Sequence, residues 1–166
     1  VFDYVWVDED LSGYCDEDGL GLYLSVESED GSGTGYLMTD DTGNKKHFDD
    51  EGYLDYVEDS NGNRRFFQRD ENNKVISISL DLCDGTEFTQ LQLTYTSANG
   101  VLKTVTSVQT GLTANMYYSS TYNGEATQNT SGFLRKITYT YATNYTYTVS
   151  YEYDSTGRLI LVKDLK

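Results

Sequence analysis

Proline is absent from all 166 residues, histidine occurs once and cysteine twice. Without proline there is no polyproline segment, and no sheet edge can be guarded by a residue that lacks an N–H. His47, Cys15 and Cys83 are too few and too scattered for a zinc site of ordinary ligand spacing, and neither cysteine sits in a Cys-x-x-Cys pair. Two cysteines permit one disulfide, Cys15 to Cys83, or two buried free thiols, and the sequence leaves both open. No apolar run approaches the roughly 20 residues that cross a bilayer, so membrane insertion is not expected. No segment has a convincing amphipathic helical period. Val1 does not open a signal peptide, which places any export signal outside this chain or among residues already removed.

Positive charge is scarce in one region only. The net charge is -15, yet residues 1–60 carry 18 Asp and Glu against Lys45 and Lys46, while residues 61–166 carry 9 against 10 Lys and Arg. The first third would repel phosphate backbones and anionic lipid, and the rest has no basic stripe to compensate, so nucleic acid is excluded as a partner.

What the chain has in plenty is Tyr, Thr, Ser and 15 glycines, a composition of pleated strands joined by tight turns. Alternation is clearest from Ile137 to Tyr153. Tyr139, Tyr141, Tyr145, Tyr147, Val149, Tyr151 and Tyr153 occupy odd positions, and Thr138, Thr140, Thr146, Thr148, Ser150 and Glu152 even ones. Successive strand residues point to opposite faces, so this reads as a hairpin around Ala142-Thr-Asn144 with one aromatic and one hydroxyl face. Ile76, Ile78, Leu80 and Leu82 alternate in the same manner, as do Leu91, Leu93 and Tyr95. Asn61-Gly62, Asp84-Gly85, Asn99-Gly100 and Asn123-Gly124 supply residues that accept the positive φ of tight hairpin turns. Ser28 to Gly35 reads as an exposed loop, and Gly111 to Gly132 as a strand around Met116-Tyr-Tyr118 flanked by longer loops. At this length one domain could bury about 70% of its unfolded surface, enough to allow a core.

A short pattern recurs five times: a small turn residue followed by a bulky apolar residue, two spacers and a β-branched or apolar residue. The copies are Gly52-Tyr-Leu-Asp-Tyr-Val57, Asn73-Lys-Val-Ile-Ser-Ile78, Gly100-Val-Leu-Lys-Thr-Val105, Gly132-Phe-Leu-Arg-Lys-Ile137 and Gly157-Arg-Leu-Ile-Leu-Val162, starting 21, 27, 32 and 25 residues apart. Such spacing suits a pair of antiparallel strands that covers its apolar side only by stacking on its neighbours. Leu54, Val57, Ile78, Leu102, Val105, Leu134, Ile137, Leu159 and Val162 are the residues predicted to pack between strands.

The last copy reads Tyr151-Glu-Tyr-Asp-Ser-Thr-Gly-Arg-Leu-Ile-Leu-Val-Lys-Asp164, and Phe48-Asp-Asp-Glu-Gly-Tyr-Leu-Asp-Tyr-Val57 keeps the same aromatic, acidic turn, glycine and apolar step. Together they resemble the YD repeat, also called the Rhs repeat, over about residues 14–166. Tyr14 to Val26 and Asp40 to Phe48 look like the segments that lead into such arrays. The resemblance implies a fragment of a much longer bacterial cell-surface protein, similar to toxin shells and teneurins, whose strands spiral around a hollow interior. The fold class it implies is all-β: an antiparallel meander of hairpins in a twisted sheet, open or part of a larger barrel or shell. One all-β domain or fragment is expected over 1–166, with acidic lead-in strands at 1–47 and hairpin repeats at 48–166.

The acidic turns invite a calcium reading, because calcium takes six to eight oxygens. Asp16, Asp18, Asp59, Asn61 and Asn63 are the weak candidates, although Arg64 stands where a calcium loop has glycine and no Glu closes the loop. Asp and Asn favour turns without a metal as well, and no cofactor is expected. Tyr139, Tyr141, Tyr145 and Tyr147 form a candidate binding platform for sugar rings, against the alternative that they fill an interface. No nucleophile motif accompanies His47, so the chain is not expected to be an enzyme. The function expected is that of a non-catalytic structural segment, part of a shell, stalk or adhesive surface, secreted or on the cell surface. It would pair through edge strands with another copy or with the rest of its parent. The alternatives are a glycan- or protein-binding module using exposed Tyr residues, and a component of a polymorphic toxin whose toxin region is absent.

Overall fold

The computed structural model describes residues 2–8, 11–16, 21–27, 35–97, 100–141 and 145–165, with side chains from residue 21 onward except at Glu27 and Leu165. The expected loop from Ser28 to Gly35 and the turn around Ala142-Thr-Asn144 fall largely outside these residues. The chain divides into two compact units, Val1–Phe88 and Thr89–Lys166.

Fourteen strands are present among the described residues and no helix. In order they are β1 Phe2–Asp8, β2 Leu11–Asp16, β3 Tyr23–Glu27, β4 Gly35–Thr39, β5 Lys45–Phe48, β6 Leu54–Glu58, β7 Arg64–Arg69, β8 Val75–Asp81, β9 Glu87–Tyr95, β10 Leu102–Ser107, β11 Thr113–Ser119, β12 Phe133–Thr140, β13 Thr146–Tyr153 and β14 Leu159–Leu165. Within the first unit each strand from β1 to β8 pairs antiparallel with the next. Within the second the same holds from β9 to β14. The all-β meander expected from alternation and turn chemistry is the observed fold.

The first residue of every repeat copy has positive φ: Gly52 (87°), Asn73 (60°), Gly100 (60°), Gly132 (119°) and Gly157 (83°). The residues after it form β6, β8, β10, β12 and β14, so each copy is a turn followed by every second strand. The fourth residue of each copy, Asp55, Ile76, Lys103, Arg135 or Ile160, is the extra residue of a β-bulge against the preceding strand. That bulge accounts for the spacing of the repeat. Positions three and six lie an odd number of residues apart and would face opposite ways on a regular strand; one inserted residue returns them to the same face. Leu102 and Val105 accordingly oppose Tyr95 and Leu93, and Leu159 and Val162 oppose Tyr153 and Tyr151.

The tight turns read from Asn61-Gly62, Asp84-Gly85 and Asn99-Gly100 have positive φ at Gly62 (87°), Gly85 (83°) and Gly100 (60°). At residues 59–63 the Gly62 N–H bonds the Asp59 carbonyl and the Asp59 N–H bonds the Asn63 carbonyl, at 3.0 Å each. This is a three-residue loop ending in a residue with positive φ. The same pair of bonds recurs at 40–44, 49–53, 70–74, 82–86 and 154–158. Gly100 closes a four-residue loop, bonding the Thr96 carbonyl. Gly124 is not among the positive-φ glycines and lies in the connection between β11 and β12, with its N–H on the Thr121 carbonyl.

The core that this length allows is absent among the described residues. No apolar side chain among the described residues is buried; the buried polar and charged ones are Glu58, Thr96 and Ser119. Seven of the nine repeat aliphatics are half-buried, but Leu159 and Val162 are each 52% exposed. β14 has β13 on one side and is the last strand of the order, and no other described strand of its unit packs against it to a comparable extent. No described helix is long and apolar enough to cross a membrane.

Candidate functional site

The acidic turns hold their carboxylates inward. In five of them the first residue is aspartate, whose Oδ1 accepts from the backbone N–H two residues on, four residues on, or both. Asp40 takes Thr42 and Asn44, Asp49 takes Tyr53, Asp59 takes Asn61 and Asn63, Asp70 takes Asn72 and Lys74, and Asp154 takes Thr156 and Arg158. These bonds favour the charged form. The Thr42 and Asn44 side chains hold Asp40 at a pKa of about 2, and the Thr156 hydroxyl, with the Arg158 N–H, does the same for Asp154. Asp59, Asp70 and Asp84 are lowered for like reasons.

Turns on one side of the first unit are also tied to each other. Asn44 donates to Asp40 Oδ2 at 2.9 Å and accepts from the Ser60 N–H at 3.2 Å. Asn63 repeats this one step on, donating to Asp59 at 2.7 Å and accepting from the Cys83 N–H at 3.2 Å. Of the calcium candidates, Asp59 and Asn63 thus spend side-chain oxygens on their own and the neighbouring turn. Asp16 ends β2 with its side chain undescribed, and Asp18 lies outside the described residues. No cluster of three or more His, Cys, Asp or Glu suited to a metal occurs among the described residues. Cys83 is an exposed free thiol in its turn, not a buried one, and the Cys15 side chain is undescribed.

Registers define two faces in the first unit. On one, Lys45, Glu58, Arg64 and Asp81 stand opposite each other across β5 to β8. Buried Glu58 accepts from Lys45 Nζ at 2.8 Å and Arg64 Nε at 2.6 Å. Hydrogen bonds from Lys45, then Arg64, hold its pKa below the ordinary value. On the next rung His47 stacks on Tyr56 at 4.9 Å, and Tyr56 meets Phe66 at 5.4 Å. The Asp55 bulge brings its carboxylate to 3.3 Å from His47 Nδ1. The other face carries the row Leu24, Met38, Lys46, Val57, Arg65, Leu80 from β3 to β8. A pocket of about 260 Å³ is lined by Leu22, Met38, Lys46 and Val57 of this side together with Asn44, Lys45 and three carboxylates, Asp40, Glu58 and Asp59.

In the second unit the aromatic and hydroxyl faces read from alternation are present. Tyr139 opposes Tyr147, with rings stacked at 4.5 Å, and Ile137 opposes Val149. Tyr141 and Tyr145 meet at 6.1 Å and are 37% and 59% exposed. The four candidate tyrosines are therefore one continuous patch, half covered at Tyr139 and Tyr147 and open at its end. The opposite face is a hydroxyl grid, with Thr94 bonded to Thr104 at 2.6 Å and Thr106 to Thr113 at 3.1 Å. Sequence reasoning missed the bulge-borne Asp55 and the Glu58 ladder; the odd spacing between positions three and six was the signal for the first.

No family model and no curated protein matches the chain. Among solved structures it is similar to the TcdB2-TccC3-Cdc42 crystal structure, with a TM-score of 0.61 and 19% identity over 92% of this chain and 8% of that one. It is similar likewise to the TcdB2-TccC3 crystal structure without the hypervariable C-terminal region, at 0.61 and 19%, again over 92% and 8%. A Photorhabdus luminescens Tc holotoxin pore with a mutated TccC3 gives 0.60 and 19%, with the same coverage. The chain spans about 8% of the length of the chains it matches. The likeness lies in the fold, and it is the fold that the YD-repeat resemblance implies.

Proposed function

We propose that this chain is a non-catalytic structural segment of a larger YD-repeat-like protein of the cell surface or extracellular space, and that other protein covers its exposed strand edge and apolar faces. The observation that carries the reading is β14. Four consecutive aliphatics, Leu159, Ile160, Leu161 and Val162, are 52%, 62%, 40% and 52% exposed, at the end of the strand order. A strand apolar on both faces matches the pattern of strands enclosed on both sides, and an uncovered one is a pairing site. The similarity to Tc toxin chains of which this chain covers only 8% supports the same reading.

Light scattering over a concentration series tests it. The isolated chain is expected to associate as concentration rises, and an Ile160→Lys, Val162→Lys variant to remain monomeric with an unchanged far-UV spectrum. A wild-type chain that stays monomeric, unfolds cooperatively and binds no hydrophobic dye would overturn the proposal.

A second reading, a glycan-binding surface, draws on the exposed end of the Tyr139–Tyr147 patch. It requires saturable sugar binding that Tyr145→Ala abolishes without loss of stability.

A further inference from the structure

We infer that the apolar face of the first unit receives an extended protein segment carrying carboxylates among apolar side chains, with Lys46 and Arg65 as its recognition residues. The inference rests on the reading that this face is covered by other protein, and it names the chemistry of what covers it. The first unit carries 23 Asp and Glu against 6 Lys and Arg, and four of its six cations have partners. Lys45 and Arg64 share Glu58. Arg69 donates to the Leu54 and Asn73 carbonyls and lies over Tyr53, and Lys74 also has a partner.

Lys46 and Arg65 differ. Both are exposed, and neither forms an ion pair, hydrogen bond or ring contact among the described residues. They stand on the same face, each directly opposite Val57, on β5 and β7. Two strand spacings separate them, about 9–10 Å. Met38 and Leu80 flank them in the same row, and the pocket beside Met38 and Val57 adds an apolar recess. Two unspent cations set in an apolar row of an otherwise acidic sheet complement a strand whose carboxylates lie between side chains that fill the recess. Asp40, Glu58 and Asp59 at the pocket, of which Glu58 is paired with Lys45, repel an anion placed out of register, which adds selectivity.

The test is fluorescence anisotropy with three labelled twelve-residue peptides, alternating Leu with Glu, Gln or Lys. The Leu/Glu peptide is expected to bind the whole chain more tightly than the Leu/Gln peptide, because Lys46 and Arg65 set a local preference against the net negative charge of the unit, and the Leu/Lys peptide is the control for that net charge. K46Q with R65Q should weaken Leu/Glu binding about tenfold with an unchanged far-UV spectrum, and K103Q in the second unit should not. Equal binding of the Leu/Glu and Leu/Gln peptides would overturn the inference while leaving the covered-face reading intact. Binding by none of them, or a double variant indistinguishable from wild type, would also overturn it. Monomeric, dye-free behaviour in the light-scattering experiment is the separate failure of the underlying reading.

Discussion

Replacing Glu58 with glutamine keeps the shape of the side chain and removes the charge that Lys45 and Arg64 converge on. The carboxylate is only 8% exposed, but its partners are 39% and 45% exposed, so water screens both pairs. Two fully buried pairs broken this way would cost several kcal/mol, and two surface pairs about 0.2–1 kcal/mol each. The half-open geometry places Glu58→Gln toward the upper end of the surface range, a loss of about 1–2 kcal/mol. For a chain of this size that lowers the melting temperature by about 2–8 °C.

Because the folded carboxyl titrates below its ordinary value of 4.5, its contribution is fully present above that value and is lost as pH falls through the lower folded one. The gap between wild type and variant is therefore constant from pH 6 to 8 and closes in the acid range. Thermal melts at several pH values read both effects. A double-mutant cycle with Lys45→Met and with Arg64→Met should return a coupling with each cation. Equal stability of wild type and variant at pH 7, or a gap that widens on acidification, would refute the reasoning.

Two further outcomes follow from the turns. Gly52 has φ +87° and open space around a built Cβ, so Gly52→Ala isolates the backbone term and should cost about 1–2 kcal/mol in urea unfolding. Gly52→Asn should cost less than half as much, since Asn73 already adopts this conformation in the equivalent position. Carboxyl NMR titration should find Asp40 and Asp154 with midpoints near 2 rather than 3.8. The stability they contribute is then present above pH 4 and lost between about 4 and 2, and Asp40→Asn with Asp154→Asn flattens that part of the pH profile.

Strands and turns were legible because their signals are local. Tyr and Thr alternate from Ile137 to Tyr153, and a residue able to take positive φ opens every repeat. The bulges were not legible by composition, since Asp55, Ile76, Lys103, Arg135 and Ile160 share no chemistry; only the odd spacing between the apolar positions betrays them. Burial was misread for a similar reason. Nine aliphatics in register predict a shared face but not that anything lies across it, and Leu159 and Val162 are each 52% exposed. The abundance of aspartate suggested metal chemistry at Asp59; the structure adds that its carboxylate accepts from the Asn61 and Asn63 N–H groups. That arrangement becomes visible only with the register of the turn.

Hydrogen exchange along β14 probes the need for outside cover most directly. In dilute monomer, amides of Leu159–Leu165 that point away from β13 should exchange near the rate of unstructured peptide, and they should become protected at concentrations where the chain associates. Protection of the whole strand in monomer, unchanged by concentration, would contradict the account.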